Sequence, residues 1–248
     1  MLTLFFTSCF VFLGYLVYGL TGFGASIVAL PLIAQVIPLK LAVVLMVVMD
    51  LIAGFLFGLK NRRDVSFAEV RQLLLWAVLG MVLGVTLLVK APESLLLVIL
   101  GAFAVFQSGR NLLSRPVDFT PIGSGWRLIY GTLGGVFSAL YGTGGPIYVI
   151  YIARRVASET VRRATVAFLI FILGFGRLGL FVVAGLLFDP RLLPYLAVCL
   201  PACLLAVYTG SWLRKRLHVR HLNQLVWIIV GIAGLSLLIR HLPVLVQQ

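Results

Sequence analysis

The sequence predicts an all-α polytopic membrane protein with two inverted-topology repeats of about five helical segments each. Three observations support this fold class. Hydrophobic residues make up 62% of the 248 residues and charged residues 11%, whereas soluble domains carry about 25% charged residues. Ten apolar segments follow one another along the chain. Two glycine-rich stretches recur at a spacing of 120 residues, which indicates that one half of the chain repeats the other.

The ten segments differ in length, and their lengths predict how the chain crosses the bilayer. A full crossing needs about 20 residues. The second and seventh segments have only 14 and 9 residues and directly follow the glycine-rich stretches. We therefore expect each stretch to lie in a helix–turn–helix hairpin or in a discontinuous helix. In order, the segments are Leu2–Leu20, Ala25–Pro38, Leu39–Leu59, Gln72–Val89, Ser94–Leu113, Leu128–Gly142, Gly145–Ala153, Ala164–Phe188, Leu192–Leu213 and Leu222–Ile239.

Loop charge favours the hairpin. Lys and Arg are enriched in cytoplasmic loops. If the loops after segments three, five, seven and nine are cytoplasmic, that side holds 15 of the 20 cations, the other side holds four, and Arg177 lies within a span. Segments six and seven must then form a hairpin, and the repeat predicts the same for segments one and two from the opposite side. We expect inverted repeats at 1–113 and 127–248, a cytoplasmic linker at 114–126 and two non-cytoplasmic termini.

The two glycine-rich stretches, Thr21–Ser26 (TGFGAS) and Tyr141–Pro146 (YGTGGP), are the predicted functional centre. In lipid, non-helical backbone is stable only where protein or a water-filled cavity surrounds it. Inverted repeats with broken helices at the midplane are typical of secondary transporters. We therefore expect the two breaks to meet near the midplane and to form one interior site.

Close helix packing is the alternative explanation for small residues in membrane helices. It remains open for the two breaks. For five other glycines it is our interpretation: Gly80, Gly84, Gly131, Gly134 and Gly135.

The motifs TGFGASIVALPLI and YGTGGPIYVIYI resemble the paired glycine-rich motifs of the TauE/SafE family (sulfite exporter, toluene sulfonate uptake permease). The resemblance covers essentially the whole chain, as two halves of the expected length. It implies a transporter for sulfite, sulfonates or other small organosulfur or carboxylate anions, and it is the only basis for expecting export. The first copy keeps Gly22, Gly24 and Pro31 of the family pattern; the second keeps Gly142, Gly144 and Gly145, with Tyr151 in place of a proline and Pro146 added.

An anion at mid-membrane needs backbone N–H donors or a cation. A helix begins just after each break, and helix N-termini carry about half a positive charge together with free N–H groups. Four hydroxyl groups in the breaks either add donors or cap the helices locally. The predicted substrate-binding residues are Thr21, Gly22, Gly24, Ala25, Ser26, Tyr141, Gly142, Thr143, Gly144, Gly145, Pro146 and Arg177.

Arg177 and Asp50 are the ionisable residues that the sequence places deep in spans. Such residues are costly in a bilayer and are functional candidates by default. Arg177 offers a fork of donors that suits sulfonate or carboxylate oxygens. Asp50 either pairs with Arg177, carries a coupling proton, or binds a cation such as sodium.

The best interpretation is a secondary transporter, not an enzyme, in the cell (inner) membrane. Its expected partners are a small anion, a coupling ion and the lipid bilayer, and no cofactor, metal or nucleic acid is expected. The net charge of +13 would suggest nucleic acid in a soluble protein, but here it lies in short loops. Two alternatives remain, a cation or metal permease centred on Asp50 and a non-transporting membrane partner of a sulfur-metabolic enzyme. The oligomeric state is not predicted.

Overall fold

The computed structural model describes residues 1–21, 24–57, 64–113, 122–123, 125–214 and 220–246. Within these ranges the protein is helical, as predicted. The helices are α1 (Leu2–Thr21), α2 (Ala25–Ile33), α3 (Leu39–Phe57), α4 (Phe67–Lys90), α5 (Glu93–Leu113), α6 (Trp126–Tyr141), α7 (Gly145–Ala153), α8 (Glu159–Val183), α9 (Leu192–Leu213) and α10 (Arg220–Val246), with a short 3-10 helix at Leu186–Phe188.

Each predicted segment corresponds to one helix, and the largest differences lie at the helix ends. Helix α8 begins five residues before the apolar run because the Ser158 side chain caps it, accepting a hydrogen bond from the N–H of Val161. It ends before Gly185, whose φ of 73° takes the chain out of the helix. Amphipathic turns also lengthen α4 at its start, by five residues, and α10 mainly at its end, where it runs to Val246. A hydropathy pattern alone does not register such turns.

Six helices are long and apolar enough to cross a membrane, judged by length and composition within the described residues. They are Leu2–Leu20, Phe67–Lys90, Glu93–Leu113, Glu159–Val183, Leu192–Leu213 and Gln224–Leu245. This finding supports an integral, multi-pass membrane protein. Helix α1, which the sequence assigned to a hairpin, is one of the six helices that are long enough to cross.

The chain forms two compact units, and neither coincides with a sequence repeat. Unit 1 comprises Met1–Met46, Lys90–Arg115 and Phe188–Gln248, and unit 2 comprises Val47–Val89 and Pro116–Leu187. Each unit therefore contains helices from both halves of the sequence. The repeat boundaries and the inversion of the second repeat remain predictions.

Unit 1 is held by close pairs of helices, α1 with α9 and α5 with α10. Glycines allow this closeness: a Cβ atom added to Gly19 would lie 2.7 Å from the carbonyl oxygen of Val207, and one added to Gly101 would lie 2.8 Å from that of Gly234. Helix α2 is almost entirely buried. Its residues Ile27 and Val28 pack with residues of α1, α5 and α10 in one apolar cluster.

Unit 2 confirms the packing role predicted for the five glycines. A Cβ atom on any of them would strike the backbone or a side chain of a neighbouring helix, because α6 lies close against α4 and α7. The contacts are Gly80 with Thr132, Gly84 with Val136, Gly131 with Trp76, Gly134 with Tyr148, and Gly135 with Ala77.

Both glycine-rich stretches lie in hairpins, not in single broken crossings. In unit 1, a Cβ atom on Gly14 of α1 would lie 2.6 Å from the Cβ of Ala29 in α2, so the chain folds back on itself. In unit 2, the side chain of Arg155, just after α7, donates to the carbonyl oxygen of Ile122, just before α6, at 3.2 Å. The start of α6 and the end of α7 therefore lie together.

Candidate functional site

The second break begins where α6 ends. Gly142 has a φ of 68°, in the left-handed region that favours glycine. Its N–H donates to the carbonyl oxygen of Ser138 at 2.9 Å, and the N–H of Thr143 donates to that of Phe137 at 3.2 Å. These bonds satisfy carbonyl groups that a helix end otherwise leaves free, and they turn the chain towards α7.

Helix α7 begins at Gly145 with two amide groups available as donors. Within the described part of the chain, the N–H groups of Gly144 and Gly145 have no protein acceptor. Pro146 has no N–H, and the amides of Ile147 and Tyr148 donate back to the carbonyl oxygen of Gly144, each at 3.1 Å. The start of this helix therefore presents the geometry that anions bind.

A buried hydroxyl lies in the same break. Thr143 is 1% exposed, and its Oγ1 has no hydrogen-bond partner among the described residues. Buried polar groups are nearly always hydrogen-bonded, so an exception points to an absent partner. The two amides and this hydroxyl belong to three consecutive residues at the start of α7, and we call them the row of donors.

Arg177 of α8 is anchored beside this break. Its Nη1 donates to the carbonyl oxygen of Ser138 at 2.8 Å, and its Nη2 donates to Oδ2 of Asp50 at 3.2 Å. The guanidinium also lies over the ring of Phe181, 5.9 Å from its centroid. The Arg177 side chain is 5% exposed and that of Asp50 is 25% exposed.

This geometry gives Arg177 a structural task as well as a charge. Ser138 lies in the last turn of α6, where the helix dipole favours a cation, and its carbonyl oxygen accepts from both Gly142 and Arg177. Asp50 neutralises the guanidinium, so the pairing that the sequence suggested as one role of Asp50 is present. The start of α7, with its two available amides, is the positive end of a helix dipole, and the ion pair beside the break carries no net charge.

The first break differs in conformation and in its polar groups. Gly24, immediately before α2, has a φ of 91°. Ala25 and Ser26 open α2 and are buried, at 2% and 3% exposure. Gly22 lies outside the described residues, and the side chain of Thr21 is not described. That the two breaks meet in one site remains a prediction.

Gly144 is also a packing residue, which the sequence did not distinguish from a binding role. A Cβ atom there would lie 2.5 Å from both the carbonyl oxygen of Gly134 and Oγ of Ser138. Gly144 therefore has a packing role, and its binding role remains a prediction. Gly145 is different, because its Cβ would meet only the Cδ1 atom of Ile170, at 3.3 Å.

Sequence reasoning missed several polar residues of unit 2. Ser138 was overlooked because its functional group is a backbone carbonyl. Tyr148, which is fully buried, was not singled out within an apolar run. Glu69 and Arg155 form a salt bridge of 3.1 Å at the other end of α7. Neither residue lies in a predicted span, so neither was singled out. They are 86 residues apart in sequence, and folding alone brings them together.

The comparisons with known proteins agree with the resemblance seen in the motifs. A sequence model of the family described as Sulfite exporter TauE/SafE matches residues 7–237. No curated protein matches the chain, and no solved structure matches it. The family match spans both glycine-rich breaks and all ten helices, in whole or in part. The chain therefore belongs to the TauE/SafE family of membrane transporters.

Proposed function

We propose that this protein is a secondary transporter that exports a small oxyanion, such as sulfite, a sulfonate, or a related organosulfur or carboxylate anion. The anion binds at the start of α7, at the second break. Export follows the family description, which names sulfite exporters. The protein acts in the cell (inner) membrane with both termini on the non-cytoplasmic side.

The observation that carries this proposal is the set of unused donors at the start of α7. The amides of Gly144 and Gly145 and the hydroxyl of Thr143 have no protein acceptor among the described residues. Three donors at a helix N-terminus suit the oxygens of a sulfite or sulfonate group better than a metal cation, which needs oxygen, nitrogen or sulfur ligands. Arg177 supports the site by fixing the end of α6 through Ser138.

The proposal leaves two roles open for Asp50. As a permanent partner of Arg177, it only cancels the buried charge. As a proton carrier, it leaves Arg177 when protonated and couples anion movement to a pH gradient. Asp50→Asn separates the two: a coupling role predicts folded protein that binds anion but no longer responds to a pH gradient in proteoliposomes, whereas a pairing role predicts loss of folded protein.

Thr143→Val tests the binding site directly. The substitution removes a buried hydroxyl that has no partner among the described residues, so the unliganded protein should be as stable as wild type or more stable. A hydrogen bond to a charged ligand contributes about 1.5–3 kcal/mol, so affinity for the anion should fall about tenfold or more. Thermal unfolding of the purified protein, titrated with sulfite, thiosulfate, an alkanesulfonate and a carboxylate, measures both quantities.

Thr165→Val is the matched control within unit 2. Thr165 is fully buried, but its hydroxyl donates to the carbonyl oxygen of Val161 and accepts the N–H of Ser66 at 3.0 Å. Its removal should lower stability by about 1–3 kcal/mol and leave anion affinity unchanged. If Thr143→Val instead destabilises the unliganded protein and keeps the anion affinity, the hydroxyl is structural and the binding site is wrong.

A further inference from the structure

A cluster of charged residues closes the end of α7 that lies away from the break. Nε and Nη2 of Arg155 both donate to Oε1 of Glu69, at 3.2 Å and 3.1 Å. Nη1 of the same guanidinium donates to the carbonyl oxygen of Ile122, at 3.2 Å. We call these three residues the hairpin latch. One side chain thereby joins the end of α7, the first turn of α4 and the residues that lead into α6.

The latch lies away from the proposed anion site but on the same short helix. Helix α7 runs from Gly145 to Ala153, which at 1.5 Å per residue is about 12–14 Å. The row of donors is at one end of this rod and the latch is at the other. All three chain ends joined by the latch are ones that loop charge assigns to the cytoplasmic side.

The ion pair of the latch is only half complete. A carboxylate binds a guanidinium best when each of its two oxygens accepts a bond, but here both guanidinium donors meet Oε1, and Oε2 is buried and receives no bond from Arg155. The side chains of Arg155 and Glu69 are 27% and 10% exposed. For a pair at this depth the loss of hydration offsets much of the attraction, so such pairs are better attested as switches than as sources of stability.

A second contact keeps α4 in place independently of the latch. The N–H of Ser66, directly before α4, donates to Oγ1 of Thr165 in α8. Opening the latch would therefore free the end of α7 from the first turn of α4, while α7 stays packed against α8 and the start of α4 stays tied to α8. The ring of Tyr151 in the last turn of α7 packs against Tyr130 of α6, with centroids 5.9 Å apart, so α6 and α7 are suited to move as one hairpin.

We propose that the hairpin latch is a gate for the anion site. In this structure it is closed. Separation of Glu69 from Arg155 lets the latch end of the α6–α7 hairpin move from the first turn of α4, while the glycine contacts between α4 and α6 hold the rest of the hairpin. This movement opens a path to the row of donors from the latch side. This inference rests on the proposed function for its purpose, but access to the break can be measured without any substrate.

The test measures the accessibility of position 143. A Thr143→Cys reporter is placed in a background that lacks Cys9, Cys199 and Cys203. A membrane-impermeant maleimide is applied to right-side-out and to inside-out vesicles, with the latch intact and with Glu69→Gln or Arg155→Gln. We expect the latch variants to make labelling about tenfold faster or more, because loss of a charged hydrogen bond changes the open population by about that factor. The faster labelling should occur only from the side of the membrane on which an Arg163→Cys protein is labelled.

Two controls make the result specific. Glu159 and Arg163 form an ion pair of 2.6 Å that is 64–66% exposed, so Glu159→Gln removes the same chemistry at the surface and should leave labelling unchanged. The charge swap Glu69→Arg/Arg155→Glu restores a pair and should return labelling towards the wild-type rate. Where the glutamine variants do not fold, Glu69→Asp replaces them, because it keeps the charge and shortens its reach.

Unchanged labelling in folded Glu69→Gln, Arg155→Gln or Glu69→Asp protein would overturn the gate. Thermal stabilisation by ethanesulfonate, compared between the wild-type protein and Thr143→Val, reports separately on the anion site, because the Thr143→Cys reporter itself lacks one of the proposed donors. Faster labelling of the reporter without any ethanesulfonate stabilisation of the wild type would keep the latch as a gate and remove the anion from the break. Stabilisation that Thr143→Val weakens, without any effect of the latch variants on labelling, would do the reverse.

Discussion

The two glycine breaks derive from one repeated pattern, yet they are built differently. A shift of 120 residues aligns Gly24 with Gly144, but Gly24 is left-handed with a φ of 91°, whereas Gly144 has a φ of −65°. In the second break the left-handed residue is Gly142, at the end of α6. The aligned glycines Gly24 and Gly144 therefore differ in conformation, and among the described residues the left-handed glycine precedes the short helix in the first break and follows the long helix in the second.

The larger difference is charge. Asp50 and Arg177 form their pair beside the second break, while the positions that the repeat relates to them are Ile170 and Phe57. The described polar bonds around α2 are neutral, such as that from Nε2 of Gln35 to the carbonyl oxygen of Pro31. Among the described residues, a buried ion pair therefore lies beside the second break and none lies beside the first. We infer that charge recognition belongs to the second break.

The sharpest test of the repeat itself is the side of the membrane that each hairpin faces, because the expected effect is all or none. Lys40, beyond the end of α2, and Arg163, beyond the end of α7, are both exposed. If the repeats are inverted, Lys40→Cys is labelled from outside sealed cells and Arg163→Cys is labelled only in inside-out vesicles. Labelling of both from the same side would contradict the inversion and the predicted position of the termini.

Removing the charge at the second break should have the next largest effect. Arg177→Gln leaves Asp50 without its guanidinium and withdraws a donor from Ser138. Breaking a buried pair from one side costs about 3–5 kcal/mol, and the partial exposure of Asp50 places this case at the lower end. Thermal unfolding should show a much lower midpoint, and proteoliposomes should show no anion transport.

The double variant Asp50→Asn/Arg177→Gln is the internal control, since it should regain much of the stability and none of the transport. Arg191→Gln is the external control: Arg191 pairs with Asp189 at 2.8 Å, but its side chain is 64% exposed, so the midpoint should not change measurably. A double variant that transports as well as wild type would show that the ion pair serves packing alone and that charge does not distinguish the two breaks.

The outcome shows which structural features a sequence of this kind can predict. Segment length and loop charge were sufficient for the two hairpins, because a nine-residue apolar segment between charged loops has few ways to cross a bilayer. The pairing of Asp50 with Arg177 was one of the three roles that the sequence left open for Asp50. It could be anticipated because these are the two ionisable residues that the sequence places deep in spans, and a buried charge is stabilised by an opposite one. The latch could not be predicted from the sequence. Glu69 lies in an amphipathic first turn, and it is buried only because the end of α7 packs against it.

Helix partners were also out of reach. Nothing in the repeat indicates that α1 packs with α9, or α4 with α6, and yet these contacts define the two compact units. Small residues predicted that helices approach closely, as Gly80 and Gly135 do, but any helix can supply the facing surface. For the same reason the sequence could not separate a packing role of Gly144 from a binding role.

Alanine at the aligned glycines should expose the difference in backbone strain. At Gly144 a Cβ would overlap Gly134 and Ser138, and overpacking of this kind costs about 2–3 kcal/mol. At Gly24 the nearest atom is Cδ1 of Ile27, at 3.9 Å, so the cost is the left-handed conformation alone, about 1–2 kcal/mol. Denaturation midpoints of the two purified variants measure the difference.

Gly179→Ala serves as the control for these substitutions. Gly179 lies within α8, and a Cβ atom added there would meet no described atom within 4 Å, so alanine at this position should stabilise the protein by about 0.5–1 kcal/mol. If Gly24→Ala proves the more damaging of the two break variants, the first break tolerates a side chain less well than the second, and the expected difference in backbone strain and packing is wrong.

The smallest effect is expected at Gly145, and it separates the amide from the space around it. Alanine occupies the aligned position in the first break, Ala25, so Gly145→Ala makes the second break resemble the first. The new Cβ would meet only the tip of Ile170, which can shift by a few tenths of an ångström, and the gain from restricting the unfolded chain offsets that contact. The N–H of residue 145 is retained, so anion affinity and transport should stay within about twofold of wild type, a difference of roughly 0.4 kcal/mol. Titration of thermal stability with an alkanesulfonate, beside the same titration of Thr143→Val, measures this. A large loss of affinity in a stable Gly145→Ala protein would mean that the anion fills the space next to this residue, and that the glycine itself, not only its amide, distinguishes the second break.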